Sequence, residues 1–197
     1  MIDLQRVIED TQSLIHIDSQ NPGIQEKQCV EWTAQRLISA GFEPKRTVVR
    51  PGRENLTVTI PGQGKAPRLV LLGHLDTVPI GAGWTKPPLE GVIENGKIYG
   101  RGACDMKGGV AVALGLLETL KKLNVNPSGD ITFVATVDEE APDMAGAHAL
   151  VESGELRSDD QVIALEPTGA RLRIAQMGLR SEEHTSELQS RFGISYA

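Results

Sequence analysis

Three short runs, 68–72 (RLVLL), 130–137 (DITFVATV) and 161–165 (QVIAL), are apolar at successive positions, and stretches of helical periodicity separate them along the chain. A strand that is apolar on both faces must be covered on both. Strands of that kind alternating with helices meet the requirement in a sheet with helices packed above and below it. The pattern predicts an α/β fold: a mixed, mostly parallel sheet flanked by helices on both faces.

The other elements fit around that sheet. Leu4, Val7, Ile8, Thr11, Leu14 and Ile15 recur at helical spacing over 3–17, and Asn21-Pro22-Gly23 ends the pattern. A second helix is predicted over 24–40 from Val30, Trp32, Ala34, Leu37 and Ile38, with Gly41 as its C-cap. Lys45–Val49 and Asn55–Ile60 read as strands. Segment 79–100 is rich in Gly and Pro and reads as a long loop, with a small hairpin around Glu94-Asn95-Gly96-Lys97. Val110, Ala113, Leu114, Leu117 and Leu120 mark a helix over 107–123; a short helix over 145–153 and a strand over 171–176 complete the reading.

Charge and composition narrow the function classes. With 20 basic and 26 acidic residues the net charge is −6, which disfavours a nucleic-acid partner. No apolar run approaches the ~20 residues of a membrane span. The longest, Gly108–Leu117, is rich in Gly and Ala and reads as the buried start of a helix. The N-terminus lacks a basic segment followed by an apolar block, so no secretory signal is expected. Two cysteines, Cys29 and Cys104, cannot build a disulfide framework, and a reducing cytoplasm is the expected compartment. The polar segment Arg180–Ala197 has neither helical nor strand periodicity, and its RSEEHTSELQS resembles the translation of a sequencing-library adapter. It is expected to be a non-native tail, so the native reading is 1–179.

The chemistry sits where the apolar strands end. The first runs into Gly73-His74-Leu75-Asp76, the second into Asp138-Glu139-Glu140 and the third into Glu166. Ligands of open α/β sheets gather outside the carboxyl ends of the strands. A fourth segment, 100–109, carries Asp105 among glycines just before a helix. His74 and Asp76, two apart in extended chain, project from one face. A carboxylate there can take one imidazole N–H and leave the other nitrogen for a metal. Glu139 and Glu140, if extended, point oppositely, so one can bind metal while the other works on water. Carboxylates following a buried strand are costly unless a cation offsets them.

GHLDTVP (73–79), WTKPPLEGVIENGKIYGRGACDMKGG (84–109), TVDEE (136–140) and ALEPT (164–168) together resemble the zinc-dependent family of acetylornithine deacetylase, succinyl-diaminopimelate desuccinylase and glutamate carboxypeptidase. The resemblance implies two Zn²⁺ ions, with Co²⁺ or Mn²⁺ as substitutes, and hydrolysis of the amide of an N-acyl amino acid or small peptide. It implies that His74 binds the first metal, that Asp76 orients it, that Asp105 bridges both ions and that the Asp105–Met106 peptide bond is cis. Glu139 would be the general base, Glu140 a ligand of the second metal and Glu166 a ligand of the first.

Family members are about twice as long. The resemblance implies that a lid and dimerisation domain, the remainder of the catalytic domain and a late histidine for the second metal lie beyond this chain. The chain alone is therefore expected to be inactive or nearly so, and the whole protein to be a homodimer. His16 is expected to be a surface or packing residue and His148 to pack on its short helix, and His184 falls in the suspect tail. Cys104 is expected to be a small buried filler, and Lys107 simply to open a helix. Two readings compete with a deacylase: a dipeptidase or carboxypeptidase of the same family, and a non-catalytic module stabilised by metal.

Overall fold

The computed structural model describes residues 1–23, 26–169, 171, 173 and 174. Met1–Pro167 forms one compact unit. Its elements run α1 (Leu4–His16), α2 (Glu26–Ser39), β1 (Lys45–Arg50), β2 (Arg53–Ile60), β3 (Leu69–His74), β4 (Val92–Glu94), β5 (Lys97–Tyr99), α3 (Lys107–Lys122), β6 (Ile131–Thr136), α4 (Ala145–Glu152) and β7 (Gln161–Ala164). Each helix and strand predicted within 1–169 is present, with ends that differ by a few residues.

The main sheet has the order β1-β2-β6-β3-β7, and β4 and β5 form a separate hairpin. β6 pairs with β3, and β3 with β7, in parallel; β2 runs antiparallel to both β1 and β6. Four strands thus share one direction and β2 opposes them. The parallel trio β6-β3-β7 brings three strand ends side by side, with His74 opposite Thr136 in the register.

Periodicity explains the layers. Alternate residues of the central strands, Leu71 and Phe133 among them, join one core with Val7 and Leu14 of α1, Val30, Ala34 and Leu37 of α2, and Val110, Leu114 and Leu117 of α3. The intervening residues Val70 and Val134 pack with Leu150 of α4 on the opposite face. Burial of such side chains contributes about 1.5–3 kcal/mol each. Leu4 and Ile38, expected on the apolar helix faces, are exposed. An ion triad, buried at Arg36 and Asp10, ties the three helices on the first face: Arg36 of α2 reaches Asp10 of α1 at 2.8 Å and Glu118 of α3 at 2.5 Å.

β7 departs from expectation. It was predicted to be buried, yet every residue of it is exposed, with Val162 at 43% and Ile163 at 45%. Among the described residues it pairs only with β3, so its outer edge and both faces lack the cover that shields β3 and β6. The strand expected over 171–176 lies largely outside the described residues, as does the tail expected to be non-native.

Candidate metal centre

Four segments meet at the carboxyl end of the parallel trio. His74, on the last residue of β3, is 2% exposed. Its Nδ1 lies 3.0 Å from the backbone carbonyl of Asp76, so Nδ1 carries the proton and Nε2 is left for the pocket. Around Nε2 stand Asp105 Oδ1 at 3.1 Å, Glu139 Oε2 at 3.7 Å and Glu166 Oε1 at 3.8 Å. His74, Asp105 and Glu166 present ligand atoms within 4.8 Å of one another, and so do His74, Glu139 and Glu140. Glu140 and Asp105, expected to share the second ion, fall in different triads that meet at His74.

Close packing holds these groups together. Gly109, in the first turn of α3, lies so near β7 that an added Cβ would stand 2.5 Å from the carbonyl oxygen of Leu165. A Cβ on Gly73 would meet Val110 at 3.1 Å and Leu165 at 3.3 Å. Glycine at both positions lets the start of α3 rest on the ends of β3 and β7, which brings Asp105 against His74 and Glu166. The Asp105–Met106 peptide is cis, as the motif implied.

The Asp76 side chain makes its hydrogen bonds to groups other than the imidazole. Its carboxylate is 3.6 Å from His74 Nδ1, outside hydrogen-bond range, and the backbone carbonyl takes that proton instead. The carboxylate turns to the acidic segment, where Oδ1 accepts the N–H of Glu139 at 3.1 Å and Oδ2 that of Glu140 at 2.9 Å. The two glutamates do not point oppositely. Asp138 adopts a left-handed conformation, φ 60°, which breaks the extended alternation and lets both side chains reach the same imidazole.

Electrostatics favour a cation. Burial alone would depress His74, but the hydrogen bond to Asp105 and the charges of Asp76, Glu139 and Glu166 lift it to about 9. Burial pushes Glu166 up to about 7, opposed by the charge of His74 and reinforced by those of Asp105 and Glu139. Burial first, then neighbouring carboxylates, raises Glu139 and Glu140. These carboxylates crowd one another away from water, and a divalent cation would relieve their repulsion. One imidazole nitrogen and several carboxylate oxygens form a donor set suited to Zn²⁺, Co²⁺ or Mn²⁺.

A model of peptidase family M20/M25/M40 matches residues 70–186, a span that holds every residue of this cluster and runs past Leu179. The chain belongs to this family. It is 37% identical over 180 residues to the succinyl-diaminopimelate desuccinylase of Methylorubrum populi, which covers 84% of the chain and 46% of that protein. It thus spans about half the length of the curated relatives it matches. Among solved structures, human carnosine dipeptidase 1 superposes on 81% of the chain and 38% of its own length, with TM-score 0.69 and 20% identity. Aminopeptidase PepT of Bacillus cereus superposes on 76% of the chain and 40% of its own length, with TM-score 0.61 and 28% identity. The fold is that of these proteins' catalytic portion, a mixed sheet between helical layers.

The remaining assignments divide. Cys29 is buried as a packing residue, but Cys104 is exposed, because the turn before Asp105 faces outward rather than into the core. His148 is also exposed, not packed. Lys107 is 1% exposed and far more than a helix opener: Nζ donates to the carbonyls of Leu14 and Ile17, at 2.8 Å each. Sequence reasoning also passed over Asn21, Glu26, Arg53 and Asp138, all buried around the cluster. For Lys107 the available signal was a lysine opening a helix that is apolar from Gly108 to Leu117.

Proposed function

We propose that the protein to which this chain belongs hydrolyses the amide bond of N-acyl amino acids, with a succinylated diamino acid as the leading substrate class. The convergence of four carboxylates on one buried imidazole carries the reading, and the 37% identity to a desuccinylase narrows the substrate. His74, Asp105 and Glu166 would hold one divalent ion and Glu140 a second, with Zn²⁺ the leading candidate. Such ions lower the pKa of water and polarise a carbonyl when bound. Glu139 takes a proton from the attacking water and delivers it to the departing amine. His74 keeps its Nδ1–H on the Asp76 carbonyl, so its Nε2 stays fixed. Asp76 holds Glu139 and Glu140 in place through their N–H groups.

The half-exposed β7 edge and the 46% coverage support a longer parent. In this reading, residues 1–179 are the first part of the catalytic domain. A lid and dimerisation domain and a further histidine ligand come from the remainder, and the 197-residue chain alone turns over little substrate. A peptidase activity is the second reading, favoured by the 28% identity to an aminopeptidase.

The test is a specificity series on the whole-length protein with Zn²⁺. N-succinyl-diaminopimelate is expected to give the highest kcat/KM, ahead of N-acetylornithine and of dipeptides. A dipeptide or tripeptide preferred by more than tenfold establishes the peptidase reading, and no turnover of any of them overturns the hydrolase assignment.

A further inference from the structure

Asn21 sits in the turn between α1 and α2, 4% exposed. Its backbone N–H donates to Thr77 O at 2.8 Å, and Thr77 N–H donates to Ser19 O at 3.0 Å, so residues 19–21 run alongside the segment that follows β3. With the backbone held there, the side-chain amide spends both of its N–H groups on carboxylates. It reaches Asp76 Oδ2 at 2.8 Å and Asp138 Oδ1 at 2.9 Å. Both acids are buried, at 0% and 2% exposure.

We propose that Asn21 is a positioning residue for the metal centre, acting through Asp76 and Asp138 on the glutamates that follow β6. The proposal rests on the metal-binding reading above. Asp76 accepts three N–H donors: Asn21, Glu139 and Glu140. Its carboxylate can aim at both glutamate amides because Asn21 holds its third acceptor direction. Asp138 carries the left-handed turn that brings Glu139 and Glu140 to the same imidazole. That turn is braced by Asn21, by Arg50 at 2.9 Å, by Arg53, and by Glu26, which accepts the Asp138 N–H at 3.3 Å. Arg50 and Arg53 neutralise Asp138, whereas no cationic side chain contacts Asp76 among the described residues other than the imidazole of His74. An amide is the group that can join two buried carboxylates without adding charge, since it offers two donors and no formal charge. Partners that bond a ligand directly commonly change metal affinity by 10- to 100-fold when removed, and Asn21 acts one carboxylate further out, toward the lower end of that range.

The test titrates Co²⁺ into the purified 197-residue chain, following the visible absorption of the bound ion, and records thermal unfolding of the metal-free forms. Asn21→Ala is expected to weaken Co²⁺ binding by about 10-fold and to alter the absorption envelope. Asn21→Ser, whose hydroxyl can still donate to one carboxylate, is expected to fall between wild type and Asn21→Ala, and serves should the alanine variant not fold. Leu37→Ala, a core truncation in α2, provides the comparison: it lowers the melting temperature and leaves the Co²⁺ affinity and spectrum unchanged. Asn21 variants that bind Co²⁺ within threefold of wild type, or weaken it no more than Leu37→Ala does, overturn the positioning role alone. A wild-type chain that binds no Co²⁺ overturns the metal-binding reading and this role with it.

Discussion

Glu139→Gln in the whole-length protein is expected to lower kcat by about 10²- to 10⁴-fold, the range associated with removing a positioned general base. The substitution keeps the shape and the backbone N–H that Asp76 accepts at 3.1 Å, so the acidic segment stays in place. What it removes is the ability to take a proton. Burial raises the Glu139 carboxyl above an ordinary glutamate, opposed by His74 and reinforced by Asp76 and Asp105, which makes it a stronger base than an exposed one. KM should stay within a few-fold of wild type, and bound metal should be unchanged, because the proposed ligands are untouched. Steady-state kinetics with metal analysis of the same preparation checks both. A kcat within fivefold of wild type removes Glu139 from the proton-transfer role.

Lys107→Met is expected to destabilise the chain by about 3 kcal/mol, because two buried carbonyls each lose a charge-assisted donor while the apolar stem is retained. The lysine stem crosses Gly102, where an added Cβ would stand 2.8 Å from Lys107 Cδ, and the ammonium reaches the last turn of α1. A cation among carbonyls at a helix C-terminus is favourable on electrostatic grounds. Burial lowers the Lys107 pKa, and the charges of Asp18 and Asp76 oppose that shift. Since α3 begins at Lys107, two residues after Asp105, the same bonds fix the loop that carries the proposed ligand to the end of α1. Urea unfolding of the chain measures the loss. A change below about 0.5 kcal/mol shows that water replaces the ammonium without cost.

The fold was legible because hydrophobic periodicity reports burial face by face. Leu71 and Val70 alternate between two cores in the structure as they do in the sequence. β7 misled the same reasoning: QVIAL is apolar enough for a buried strand, but among the described residues it pairs only with β3 and stays exposed. The ligand cluster was legible because His74, Asp105, Glu139, Glu140 and Glu166 occupy strand and helix ends, which topology collects at one edge. The supporting groups were not. Asn21 and Asp76 are 55 positions apart, and Arg53 and Asp138 are 85 apart. No local periodicity encodes such pairs, since a polar residue looks the same in sequence whether it meets water or a buried carboxylate. The shared direction of Glu139 and Glu140 was missed for a related reason. It depends on a left-handed Asp138, a conformation that costs a non-glycine residue energy and that the surrounding arginines and Asn21 stabilise.

The central claim is that one pocket gathers a cation between His74, Asp105 and Glu166, with Glu139 beside it. Crystals of the chain grown with Zn²⁺, and an anomalous difference map recorded at the zinc absorption edge, test it most directly. A peak is expected at about 2.0–2.2 Å from His74 Nε2 and from carboxylate oxygens of Asp105 and Glu166. A pocket without a peak at saturating Zn²⁺, or a peak bound by other side chains, contradicts it.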